Sequence, residues 1–210
     1  MHTEHKTTAD VIVPKSPDCP LNVVLGGAPL LGRLTGIGRY TYELARALVA
    51  SKIIDDLKLW GDLSFLDAGI LKRDDPTSEG PAGLAVKKNR GRSGSLAVSA
   101  RAFASRSYYA SMVYQYVSGA MAERRLRPLA DSHLYHSPNF IMPHFNGARV
   151  ITIHDLSTIR FPQFHRRQMV VLCEGGIRSA IEGKVHVITD SFHVRDELVK
   201  DFGVEGSRIS

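Results

Sequence analysis

Short apolar runs that stop at a glycine or a charged residue alternate along the chain with longer stretches whose apolar positions recur every three or four residues. The first run, residues 21–27 (LNVVLGG), has the length and continuity of a buried strand and feeds a glycine-rich loop. From Ile37 the period changes: Ile37, Tyr40, Thr41, Leu44, Ala45 and Leu48 fall at helical spacing. A second strand is expected at 56–63 (DLKLWGDL). Residues 100–127 read as a helix closed by Pro128, with Tyr108, Met112, Tyr116 and Ala120 along one face. A brief strand-like run, SHLYHSPN, precedes ARVITIHD at 148–155, where four β-branched residues in succession mark a fully buried parallel strand. Helix is expected again at 168–181, against the grain of Gly175 and Gly176, and strand at 185–191 (VHVITDS). Ser191 is placed to cap the helix that follows and Gly203 to stop it. The closing SRIS reads as the start of another strand. This alternation predicts an α/β, doubly wound parallel sheet of the Rossmann-like kind, spanning 21–207 behind a flexible leader at 1–20.

Composition adds little to that picture and charge adds more. With 210 residues, 43% hydrophobic and 23% charged, the chain has the make-up of a globular domain large enough for a substantial core. No apolar run approaches a membrane span, and the first twenty residues hold no apolar signal-peptide core. Two cysteines, Cys19 and Cys173, read as reduced thiols of a cytosolic protein. Of the overall charge of +6, residues 81–130 carry +8, from nine basic side chains against Glu123, and the remainder carries −2. The region includes a basic loop at 76–99, expected to be mobile, and suits an anionic partner: a lipid surface, a phosphorylated ligand or nucleic acid. The tyrosines beside it sit at the spacing of a helix packed in a core rather than of a base-stacking platform, so nucleic acid is the least favoured partner.

In a wound sheet, ligands bind beyond the carboxyl ends of the strands. The positions to inspect are therefore 26–39, 136–140, 154–157 and 190–193. Gly36-Ile37-Gly38-Arg39-Tyr40 opens a helix after a strand, where glycines permit φ > 0 or a close-lying ligand, and unpaired N–H groups favour an anion. Thr41 stands where a dinucleotide fingerprint has its third glycine, and a ligand-free turn is the plainer alternative. His154 and Asp155 end the clearest strand, where an imidazole can meet a substrate hydroxyl or serve as an ordinary strand-end residue. His133 and His136, three apart on a strand, point to opposite faces, and no metal set, nucleophile elbow or P-loop is present.

Four segments taken together, LTGIGRYTYELARALV, LYHSPNF, RVITIHDLS and VHVITDSFHVRDELVKDFGV, in this order, resemble the N-terminal domain of bacterial glycosyltransferases of family four. These are nucleotide-sugar-dependent enzymes of the GT-B fold, mannosyltransferases of cell-surface polysaccharides among them. The resemblance covers residues 21–210 and is weakest over 62–101. It implies the N-terminal, acceptor-side half of a GT-B fold and transfer of a hexose to a glycan or lipid-linked acceptor with retention. No metal or other cofactor is implied; the nucleotide sugar is the substrate. It also implies that Gly36, Gly38 and Arg39 approach the donor diphosphate and acceptor, that His154 contacts the transferred sugar with Asp155 supporting it, and that Asn139 and Ser191 line the same cleft. Family members carry a second, nucleotide-holding domain, which this chain stops short of. The expectations are that residues 1–210 alone do not turn over nucleotide sugar, and that an exposed apolar patch awaits that domain or an oligomeric partner. Location is expected in the cytoplasm, peripheral to the inner face of the membrane through the basic segment. The rival reading is a non-catalytic α/β module that binds a phosphorylated ligand or a protein partner.

Overall fold

The computed structural model of the chain describes residues 21–31, 34–72, 108–182 and 185–210. The leader at 1–20, with Cys19, and the basic loop at 76–99 lie outside the described residues, so those expectations are not addressed. Six strands form one sheet in the order β3-β2-β1-β4-β5-β6: β1 (Leu21–Gly26), β2 (Ile54–Trp60), β3 (Phe65–Leu66), β4 (Leu134–Ser137), β5 (Arg149–Ile153) and β6 (His186–Thr189). Every neighbouring pair is parallel except β2–β3, where a two-residue strand not anticipated from its sequence adds an antiparallel edge. In the closing segment, expected to start another strand, Ile209 makes one isolated parallel bridge to Val187 and no strand is formed among the described residues. The helices are α1 (Gly36–Ser51), α2 (Tyr108–Leu126), the short turn α3 (Ser157–Arg160), α4 (Arg167–Ile181) and α5 (Phe192–Phe202).

Strand alternation gives the sheet two apolar faces. Val23 and Leu25 of β1 pack with Tyr42 and Ala45 of α1. Val24, between them, points the other way and packs with Ala122 and Leu126 of α2 and with Trp60 and Tyr135. Register carries that second face outward, since Val24 pairs with Tyr135, Ser137 with Ile151 and Ile151 with Val187. There Ile151, Ile153 and Val187 meet Cys173 and Ile177 of α4 and Val194 and Leu198 of α5. This is the doubly wound arrangement.

The face expected on the long second helix is not the one buried. Tyr116 is 81% exposed and Val113 63%, while Ala122 and Leu126 are inaccessible. Small Ala122 allows close approach to the sheet and Leu126 fills the space beneath, so volume rather than aromatic content chose the inward face. Gly176, which argues against helix by propensity, is what lets α4 pack: a Cβ there would overlap the Phe140 carbonyl. Gly203 closes α5 in the left-handed region at φ 67°, as its sequence position anticipates.

Candidate active site

Parallel register places the first residues after β4, β5 and β6 side by side at the carboxyl edge. Ile153 pairs with Thr189, so His154 and Asp190 are the next pair along, and their side chains meet: His154 Nδ1 lies 3.0 Å from Asp190 Oδ2. The other ring nitrogen, Nε2, lies 3.1 Å from the carbonyl oxygen of Pro138, just beyond β4. Both neighbours are acceptors only. The two contacts are hydrogen bonds together only when the ring carries both protons, as imidazolium; a neutral ring keeps one of them.

Asp155 does not support His154. Its Oδ1 accepts from the Ser157 amide at 2.8 Å and the Ser157 hydroxyl at 2.6 Å, closing an Asx-type turn at the start of α3. Asp190 holds the place expected of Asp155.

The glycine-opened helix comes to the same edge. Tyr40, one turn into α1, sets its ring edge-on to the His154 imidazole at 4.7 Å between centroids. Its hydroxyl lies 3.2 Å from Thr152 Oγ1, and on the other side of Thr152 is His136 Nε2 at 2.9 Å. Burial disfavours the charged form of His136 and pushes it down to about 4. The ring that bears the functional expectation thus rests on an aromatic edge and a buried hydroxyl–imidazole pair, all on the α1 side of the sheet.

The two glycines differ in what they do. Neither has positive φ. A Cβ at Gly38 would come within 2.9 Å of the Pro29 carbonyl oxygen, so Gly38 serves close packing of α1 on the turn after β1. Among the described residues no atom outside its own helix and chain neighbours lies within 4 Å of a Cβ at Gly36, so its face of the helix N-terminus is open toward them. Thr35 caps this helix, its hydroxyl 3.5 Å from the Gly38 amide. Arg39 pairs with Glu43 at 3.1 Å on the exposed flank of α1. Ser191 is engaged as the cap of α5, accepting from the Val194 amide at 3.2 Å.

On the opposite side of the sheet edge opens a cavity of about 590 Å³. Gly26, Trp60, Tyr135, Pro138 and Asn139 line it from the strand ends, Tyr114 from α2, and Arg166 and Met169 from α4 and the residue before it. Asn139 is folded into its own turn, Oδ1 accepting from the Ile141 amide at 3.0 Å. Asp62 also lines the cavity, in the left-handed region at φ 67°, and accepts from the Tyr114 hydroxyl at 3.1 Å. The apolar walls and few polar groups are the make-up of a small-molecule site. Pro138 joins the two sides, lining the cavity and giving its carbonyl to His154.

No protein-family model matches the chain, and no solved structure matches it. Among curated proteins it is 28% identical, over 189 residues, to the O-antigen chain mannosyltransferase B of Escherichia coli. The match covers 90% of this chain and 46% of that protein, so the chain spans about half the length of the curated relative. The similarity supports a glycosyltransferase. The mostly parallel, two-sided sheet is Rossmann-like and consistent with a glycosyltransferase domain.

Of the sequence-expected residues, the fold brings His154 beside the start of α1, sets Asn139 in the cavity wall, and gives Asp155, Arg39 and Ser191 local partners. Asp190, Tyr40, Thr152 and Asp62 were not singled out. Asp190 lay within the strand-end window 190–193 and needed only the β5–β6 register to be recognised. Tyr40 read as one more apolar position of an amphipathic helix. Among the described residues, no group of three His, Cys, Asp or Glu side chains is placed to hold a metal ion, and no helix is long and apolar enough to cross a membrane.

Proposed function

We propose that this chain is the acceptor-side domain of a retaining GT-B glycosyltransferase, in which a hexose passes from a nucleotide sugar to a glycan or lipid-linked acceptor. The observation that supports this reading most is the meeting of the α1 N-terminus with His154 through the Tyr40 edge contact. It puts an open face of the helix N-terminus and a hydrogen-bonding imidazole at one end of the sheet, with the cavity behind Pro138.

Charge builds on the diphosphate as the glycosidic bond breaks, so oriented N–H groups matter more here than a nucleophile. The amides at the start of α1 face that charge. His154 donates to a sugar hydroxyl by exchanging one of its two acceptors, the Pro138 carbonyl or the Asp190 carboxylate, for it. In a same-face displacement the leaving phosphate oxygen takes the acceptor proton as the new C–O bond forms. By the family resemblance, the nucleotide is held by a second domain.

The test is amide-shift mapping by NMR on residues 1–210. The probes are mannose oligosaccharides and mannose nucleotides, each base in turn. Shifts gathered at 36–40, 138–139, 154 and 190, and lost in His154→Ala, are expected. Saturating ligand that moves none of these, or moves only a distant surface, overturns the reading.

A further inference from the structure

The connection from β5 to α4 leaves apolar side chains in water, as Phe192 does beyond β6. Phe161 is 54% exposed and Phe164 79%, with Met169 exposed in the first turn of α4. Cations stand among them: Arg166 and Arg167 follow after His165, and from Phe161 to Cys173 there is no acidic residue. Arg160, just before, is excluded from this charge because it bonds Glu197 and Asp201 of α5. These ion pairs tie the start of the loop to α5. Arg166 and Met169 also line the cavity, so the aromatic–basic loop forms part of its rim.

We propose that this loop, Phe161 to Arg167, docks on an anionic lipid surface, the two rings entering the headgroup boundary and Arg166 and Arg167 meeting the lipid charge. Aromatic rings beside arginines are the composition of an interfacial contact, where apolar burial and attraction to anionic headgroups add. A second copy of the chain is disfavoured by charge, since a two-fold contact would set the Arg166–Arg167 pair near its own image. The contact is distinct from the basic segment at 81–130, most of which lies outside the described residues. Docked this way, the cavity mouth faces the surface from which a lipid-linked acceptor would come. The docking does not rest on the sugar-transfer reading: vesicle binding can fail while the saccharide shifts stand, and the converse.

The experiment is co-sedimentation of the 210-residue chain with phosphatidylglycerol–phosphatidylcholine vesicles and with phosphatidylcholine alone. Binding that needs the anionic lipid is expected. Each of Arg166→Gln and Arg167→Gln should lower partitioning about fivefold, and Phe161→Ser/Phe164→Ser about tenfold or more. The Phe side chains are solvent-exposed, so these variants should melt with the wild type; Arg167→Gln carries the test if they do not. Arg124→Gln/Arg125→Gln, at the end of α2, should bind as the wild type does. Equal partitioning of loop variants and wild type overturns the proposal. So does loss confined to the α2 variant, or a vesicle-free dimer that the Phe substitutions abolish.

Discussion

Acid should weaken this fold through His136, and the size of the effect follows from its surroundings. The ring is 7% exposed, bonded to Thr152, and depressed to about 4 from an ordinary 6.5 because burial penalises its charged form. The unfolded chain therefore binds a proton that the folded chain refuses between those values. Stability is full above pH about 6.5, falls as pH drops toward about 4, and is flat below that with respect to this group. Lowering from 6.5 to about 4 corresponds to about 3 kcal/mol at the acid limit, and to about 2 kcal/mol between pH 8 and pH 5. Urea unfolding of wild type and His136→Gln at the two pH values isolates the term, because every other titrating group is common to both. The wild type should lose about 2 kcal/mol more than the variant on acidification. Identical pH dependence in the two proteins would refute the reasoning, as would an NMR titration of the His136 ring with an ordinary midpoint.

Other substitutions probe the same edge. Gly176→Ala should destabilise by about 2 kcal/mol or more in thermal or urea unfolding, since the methyl group meets fixed Phe140 backbone rather than a side chain that can turn away. Gly36→Ala, with open space around it, should change stability by less than about 1 kcal/mol, and Gly38→Ala should cost more, because only the latter meets the Pro29 carbonyl. Asp190→Asn should alter the imidazole nitrogen shifts of His154 in a labelled sample, while Asp155→Asn should leave them unchanged and cost about 1 kcal/mol of stability through the weakened turn at α3. Unchanged ring shifts in Asp190→Asn would remove Asp190 from its positioning role.

Most of the strand and helix pattern was legible because burial on both faces leaves a continuous signature. Residues 23–25 and 150–153 are apolar or β-branched throughout, and no surface strand needs that. Ser191 and Gly203 marked the ends of α5 through local capping chemistry that depends on few distant contacts. The edge strand Phe65–Leu66 was missed because two residues carry no period. The buried face of α2 was misread because tyrosines at four-residue spacing look like a core stripe, although Ala122 and Leu126 fill the space available under that helix.

The candidate site divides along the same line. The sequence by itself determined which residues stand at strand ends, because each strand's stop is written in its own neighbours; that put His154, Asn139 and the glycine loop in view. Only the tertiary structure decided who touches whom there. Asp155 is beside His154 in the chain, but successive side chains after a strand diverge, and its carboxylate turns back to Ser157. Asp190 is 36 residues away in the chain, yet the parallel register of β5 and β6 brings it onto the imidazole. Hydrogen bonds act over about 3 Å of space whatever the separation along the chain, and strand pairing, a long-range choice, sets that space.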